Sequence, residues 1–155
     1  MPIQIMQDQR RGVRVIEFTG QIVREDLETV SRLYTDRDFY RFEDREVVLF
    51  APDASLAAID VEDLSLLADS YIEALHQRGD QTAVLSAWVI GDHVRAEIRL
   101  WWEFSRDHSR LREPRSVVSS LEDALSALGL PEDWADDLRA RQGCRIFEDT
   151  GPATG

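Results

Sequence analysis

Val47-Val48-Leu49-Phe50-Ala51 is an unbroken apolar run with β-branched members, and Pro52 stops it. A half-buried strand would alternate apolar with polar residues. A continuous run reads instead as a strand covered on both faces, as in a parallel sheet with helices on it. The flanks agree. Before the run, Leu27, Val30, Leu33 and Tyr34 repeat at helical spacing, and Glu25 and Asp26 open that helix where acidic groups favour the positive end of its dipole. After the run, Asp60 reads as an N-cap with Asp63 three residues on. Leu64, Leu67, Ala68, Tyr71 and Leu75 then predict a helix to about Arg78, closed by Gly79.

Further out, Thr82 to Val89 predicts another buried strand. Gly91-Asp92 opens a third helix to about Ser105. Its apolar residues Val94, Ile98, Leu100, Trp101, Trp102 and Phe104 surround most of the cylinder, the pattern of a helix buried on more than one side. Val117-Val118 marks a short strand. Ser120-Leu121-Glu122-Asp123 is a helix-start signature, and Leu121, Ala124, Leu125 and Leu128 form that helix's apolar face up to Gly129. Pro131 fits the first position of a final helix through Trp134 and Leu138. At the amino end, Ile3 and Ile5, then Val13, Val15, Ile16 and Phe18, predict two strands around a polar turn ending at Gly12, a β-hairpin. Residues 35–45 are a charged loop carrying Phe39, Tyr40 and Phe42, and residues 149–155 are a loose tail. Strands alternating with helices predict an α/β domain with a mixed, largely parallel sheet opened by an N-terminal β-hairpin and helices packed on it. The expected division is a domain over residues 3–130, a helical extension over 131–148 and the tail.

Composition narrows the function classes. The 155 residues contain 18 Arg and no Lys against 30 Asp and Glu, a formal charge of −12. A chain of this length buries about 68–70% of its unfolded surface and builds a core without staples. Cys144 is the single cysteine, so no internal disulfide framework forms. The opening residues lack the apolar stretch of a signal peptide, and no apolar run approaches the ~20 residues of a membrane span. A cytoplasmic protein without a transmembrane segment is expected. The acidity argues against a non-specific nucleic-acid binder, which needs clustered cations.

Several segments resemble the SpoIIAA-like branch of the STAS-like superfamily, small bacterial α/β proteins distantly related in fold to anti-anti-sigma factors. Gly20-Gln21-Ile22-Val23-Arg24-Glu25-Asp26-Leu27 is similar to the family's glycine, strand end and acidic helix start, and Val47 to Pro52 to its central strand. Trp88 to Trp102 resembles the strand-loop-helix holding a glycine, an arginine and an aromatic two residues on. Arg99 and Trp101 match the pair, while Ala96 stands where the glycine would be. Ser116 to Leu130 resembles the closing strand and helix, with Ala127-Leu128 in place of a Trp-Leu pair. The likeness covers roughly residues 3–130 and implies a phospho-switched partner binder or, through Sec14-type relatives, a lipid-binding module. The family as a whole carries no single reaction.

The switch serine of anti-anti-sigma proteins sits at the start of the helix after the central strand, in an Asp-Ser-Ser-Gly-like stretch. The matching residues 53–62 hold neither a Ser pair nor the Gly. Ser55 is the nearest hydroxyl, and an ordinary loop serine is the preferred reading. His76, His93 and His108 have no His or Cys neighbour at metal-ligand spacing, so no metal or cofactor is expected. His93 beside Asp92 lacks a nucleophile to serve. Arg141 and Arg145 flank Cys144 and would favour a thiolate, although a bland surface thiol is preferred.

Trp88, Trp101, Trp102 and Phe104 fall in one neighbourhood with Arg95 and Arg99 at helical spacing. Trp101 and Trp102 are ~100° apart around a helix, so one enters the core and the other is available to line a pocket or meet a partner. The reading is a non-enzymatic protein-interaction or regulatory module, binding a protein partner or itself through Ser55, Arg95, Arg99, Trp101 and Trp102. The alternative is a small-molecule or lipid-binding module with a pocket near helix 92–105, Arg95 and Arg99 taking an anionic head group.

Overall fold

The computed structural model describes residues 3–79, 85–91, 94, 97 and 115–149. The chain runs β1 (Ile3–Asp8), β2 (Val13–Phe18), α1 (Arg24–Thr35), β3 (Arg45–Phe50), α2 (Val61–Gln77), β4 (Ser86–Val89), β5 (Arg115–Val118), α3 (Leu121–Ala127), α4 (Trp134–Arg139) and β6 (Arg145–Ile146). One mixed sheet has the order β5-β4-β3-β2-β1-β6. Strands β2 to β5 are parallel neighbours, whereas β1 pairs antiparallel with both β2 and β6. The expected fold class is therefore the observed one.

The period of two along each strand sorts the apolar residues into two cores. Ile16 and Phe18 of β2, Val48 and Phe50 of β3, and Trp88 of β4 meet Leu27, Val30 and Leu33 of α1 and Leu64, Ala68 and Tyr71 of α2. Val13, Val15, Val47, Ala87 and Val89, offset by one residue, meet Leu121, Ala124, Leu125, Ala135 and Leu138 of α3 and α4. The sheet is thus sandwiched between two helical layers, which is why the 47–51 run lacks a polar face. Residues 131–148 contribute to both the second core and the sheet: Ala135 and Leu138 are buried, and Met6 and Gln7 of β1 pair with Ile146 and Arg145 of β6.

Several boundaries differ from the sequence reading: β5 begins at Arg115, and the extension expected to be helical over 131–148 contains the strand β6. Helix α4 begins at Trp134 behind Asp133, so Pro131 is not its first residue; the Pro131 carbonyl instead accepts from the Trp134 amide at 3.2 Å, closing a turn. The expected tail is anchored at its start: Arg32 Nε and Nη2 donate to the Asp149 carboxylate at 2.7 and 2.6 Å, and Thr29 Oγ1 donates to it at 2.8 Å. Strand β4 starts at Ser86, and residues 80–84 lie outside the described residues.

The charged 35–45 loop covers the amino-terminal end of the parallel strands. Phe39, Tyr40 and Phe42 turn inward, with Tyr40 edge-on to Tyr34 at 5.0 Å and to Phe42 at 5.3 Å. Beneath them lies Arg14 of β2, with 0% exposure. Its Nε donates to Glu46 Oε1 at 2.9 Å, its Nη1 donates to the Arg41 carbonyl at 3.2 Å, and its guanidinium stacks 3.8 Å from the Tyr40 ring centre. Asp44 lies 3.7 Å from Nη1 and accepts from Gln7 Nε2 at 2.6 Å. Burial pulls the Arg14 cation's pKa down, but Glu46, Tyr40 and Asp44 outweigh it and the net shift is upward.

Helix α2 starts as the sequence predicts. Asp60 Oδ1 accepts from the Asp63 amide at 2.9 Å, and Asp63 Oδ2 accepts from the Asp60 amide at 3.0 Å, a reciprocal capping box. Asp63 Oδ1 also accepts from Arg24 Nε, tying α2 to the start of α1. The Asp60 amide, followed by Arg24, holds the Asp63 carboxyl below its ordinary 3.8 despite burial, which opposes the shift. A depressed carboxylate stabilises the fold above its ordinary value and loses that contribution as the pH falls through the folded one. Asp63→Ala is therefore expected to lower stability by about 1–2 kcal/mol at neutral pH, with variant and wild type converging below the ordinary carboxylate range. Urea titrations at several pH values check this; a pH-independent difference would assign the loss to packing alone.

Candidate functional site

In open α/β sheets, function gathers outside the carboxyl ends of the strands, where loops leave a rigid scaffold. Here the exits of β2 and β3 are joined to each other. Gly20 has φ +64°, a left-handed conformation that turns the chain off β2. The Ser55 amide then donates to the Gly20 carbonyl at 2.8 Å, and the Ile22 amide to the Ser55 carbonyl at 2.9 Å. This parallel Gln21–Ser55 bridge prolongs the β2–β3 pairing beyond the sheet.

Ser55 sits at the centre of the junction. Its Oγ accepts from the Ala57 amide at 3.3 Å and donates to Glu97 Oε1 at 3.4 Å. The other Glu97 oxygen accepts from the Leu56 amide at 2.6 Å. One carboxylate from the segment after β4 thus fixes the loop after β3. Ser55 is half-buried, and its hydroxyl is engaged by both the Ala57 amide and Glu97. A phosphate added there would confront the Glu97 carboxylate.

The rim of this junction is exposed and partly apolar. Val23 is 36% exposed and Val61 51% exposed, and each stands at a helix start. Val23 occupies the N-cap of α1 without a side chain able to accept from the helix; the Asp26 carboxylate returns one bond to the Val23 amide at 2.8 Å. Ser, Asp or Asn at that position would satisfy another amide. Arg24, next to Val23, binds Asp63, two residues past Val61, so both valines border one strip. Pro52, Asp53, Ala57, Ala58 and Asp60 are the exposed residues of the loop beside it.

Of the residues expected to form the site, the structure places Ser55 at this junction. Arg95, Arg99, Trp101 and Trp102 lie outside the described residues, as do His93, His108 and most of the segment from 92 to 105. That segment's two described members, Val94 and Glu97, reach the first core and the Ser55 loop respectively. His76 is exposed near the end of α2.

Cys144 is half-buried, and its flanking arginines do not activate it. Burial, followed by Asp8, pushes the thiol up, outweighing the opposing Arg11. Arg145 instead donates to Gln7 Oε1 at 2.7 Å and Asp38 Oδ2 at 2.9 Å. Among the described residues no group of three His, Cys, Asp or Glu is placed to hold a metal ion, and no helix is long and apolar enough to cross a membrane.

Sequence reasoning missed the Gln21–Ser55 bridge and the valine strip. The only local signal for the strip was a valine immediately before Arg24-Glu25-Asp26, where a capping side chain would be the default. No protein-family model matches this sequence, and no curated protein matches it.

Proposed function

We propose that this chain is a non-catalytic interaction module of the SpoIIAA-like, STAS-like kind, meeting a protein partner or a second copy at the carboxyl ends of β2 and β3. The observation that carries the reading is the valine strip. Two exposed apolar side chains border a junction held rigid by the Gln21–Ser55 bridge and Glu97. One of them, Val23, occupies a helix cap that a polar residue would stabilise. Rigidity lowers the entropy cost of association, and an apolar centre with a charged rim is the usual anatomy of an interface. Asp53, Glu62 and Arg24 supply that rim.

Two substitutions separate binding from folding. Val61→Asp places an acid in the first turn of α2, which is neutral or stabilising by ~0.3–1 kcal/mol. Val23→Ser supplies the missing cap and is expected to stabilise by about 1 kcal/mol. Native mass spectrometry and quantitative affinity purification of the full-length chain from its own host would compare these variants with wild type. The expected result is a homo- or hetero-complex of defined stoichiometry that both variants weaken about tenfold while melting no lower than wild type. Complexes of undiminished strength in both variants would exclude this surface.

A further inference from the structure

A small cavity of about 120 Å³ lies between the sheet's second face and helices α3 and α4. Its floor is apolar: Met6, Val15, Leu49, Leu121 and Leu138. An engineered apolar cavity of ~150 Å³ accepts benzene, so this one suits a group of roughly four to six carbons and is too small for a lipid chain. Its rim carries both signs of charge. Gln4 and Glu17 stand directly opposite each other across the β1–β2 ladder, and Glu17 is in register with Leu49 on β3. Arg139 and Arg141 come from the end of α4 and the turn after it. Arg139 is engaged by Glu122 and Asp136. The side chains of Gln4, Glu17 and Arg141 have no hydrogen-bond or ion-pair partner among the described residues, although Gln4 and Glu17 are half-buried.

Arg141 is also held in a costly backbone conformation. The Gln142 amide donates to the Asp137 carbonyl at 2.9 Å and the Arg141 amide to the Leu138 carbonyl at 3.1 Å, which together close α4 in a Schellman motif. That motif puts residue 141 in the left-handed region, at φ +57°, where glycine is the ordinary occupant. Arginine here forgoes local stability and brings a guanidinium without a partner among the described residues to the mouth of an apolar cavity.

We propose that this cavity binds a free aliphatic α-amino acid of about the size of leucine. The side chain occupies the Met6–Val15–Leu49–Leu121–Leu138 floor, the carboxylate meets Arg141, and the ammonium meets Glu17 and the Gln4 carbonyl oxygen. Charge complementarity selects the zwitterion. A simple carboxylate would bring its negative charge beside Glu17, and a simple amine would bring its positive charge beside Arg141. The site faces the opposite side of the sheet from the α1–α2 layer, and the inference is independent of the interaction surface proposed above.

The test uses the full chain, titrated with L-leucine and with its two single-charge analogues, 4-methylpentanoate and 3-methylbutylamine, by calorimetry and thermal melting. L-leucine at about ten times its Kd is expected to raise the melting temperature by about 3–6 °C, and each analogue to bind roughly tenfold or more weakly. Arg141→Gly separates binding from folding: it relieves the left-handed strain, so it is expected to melt at or above the wild type while losing leucine affinity roughly tenfold or more. Leu49→Phe, which fills the cavity from a half-buried position, is expected to abolish binding. Absence of leucine binding, undiminished binding to Arg141→Gly, or 4-methylpentanoate binding as tightly as leucine would each overturn the proposal.

Discussion

Arg14→Met is expected to destabilise the protein by about 3–5 kcal/mol, a large share of the ~5–15 kcal/mol available to a domain of this kind. The argument is electrostatic rather than volumetric, since methionine fills much of the same space. Removing the guanidinium leaves Glu46 and Asp44 buried without the cation they face at 2.9 and 3.7 Å. It also strips Tyr40 of its stacked partner and the Arg41 carbonyl of its donor. A buried pair broken on one side costs far more than a pair removed altogether. Arg14→Met/Glu46→Leu should therefore recover part of the loss, leaving Asp44 its bond from Gln7. Urea midpoints of the two variants decide the matter. A single variant within about 1 kcal/mol of wild type would show that the cluster is dispensable to the fold, and a double variant worse than the single would show that an unpaired Glu46 is not the source of the loss.

The same cluster shows why part of this fold is hidden from its sequence. The pattern that predicts a doubly covered β3 is local: five apolar residues in a row and a proline. Helix α1 announces itself by spacing and an acidic first turn, and α2 and α3 by spacing and caps. Arg14, by contrast, alternates with Val13 and Val15 as an outward-facing residue would. Its burial follows from the 35–45 loop folding over the strand end, and nothing within a few residues of Arg14 encodes that. The inward turn of Phe39, Tyr40 and Phe42 is legible only as an excess of aromatics in a charged stretch. The candidate site divides similarly. The Asp60–Asp63 box is readable from four residues. The Gln21–Ser55 bridge and the hold of Glu97 on Leu56 span 34 and 41 positions respectively and appear only once the strands are in register. Val23 and Arg141 form a third class. Each breaks a local rule, a cap without an acceptor and a left-handed residue that is not glycine, and such exceptions concentrate where a surface has work other than folding.

The second large effect concerns residues 131–149. A chain ending at residue 130 is expected not to fold stably, although the family resemblance covers only residues 3–130. Removing α4 takes Ala135 and the fully buried Leu138 from the second core and uncovers Met6 and Val15. Burying a single leucine contributes about 1.5–3 kcal/mol, and Leu138→Ala alone should cost about 2–5 kcal/mol. Removing β6 reopens the outer edge of β1, a row of unpaired amides and carbonyls that invites association with other chains. Three further ties are lost at once: Arg11 to Asp137 at 2.7 Å, Arg145 to Gln7, and Asp149 to Arg32. The last two anchor the chain end to β1 and to α1, on the face of the sheet opposite α4. The 131–149 segment therefore clamps the sheet from its edge and from both sides, and its loss is comparable to the whole stability of a domain this size. Circular dichroism melts and amide dispersion of the 1–130 chain against the full chain test this. A cooperative melt of 1–130 within a few degrees of the full chain would make the segment an appendage; its absence would make residues 131–149 an obligatory part of the domain.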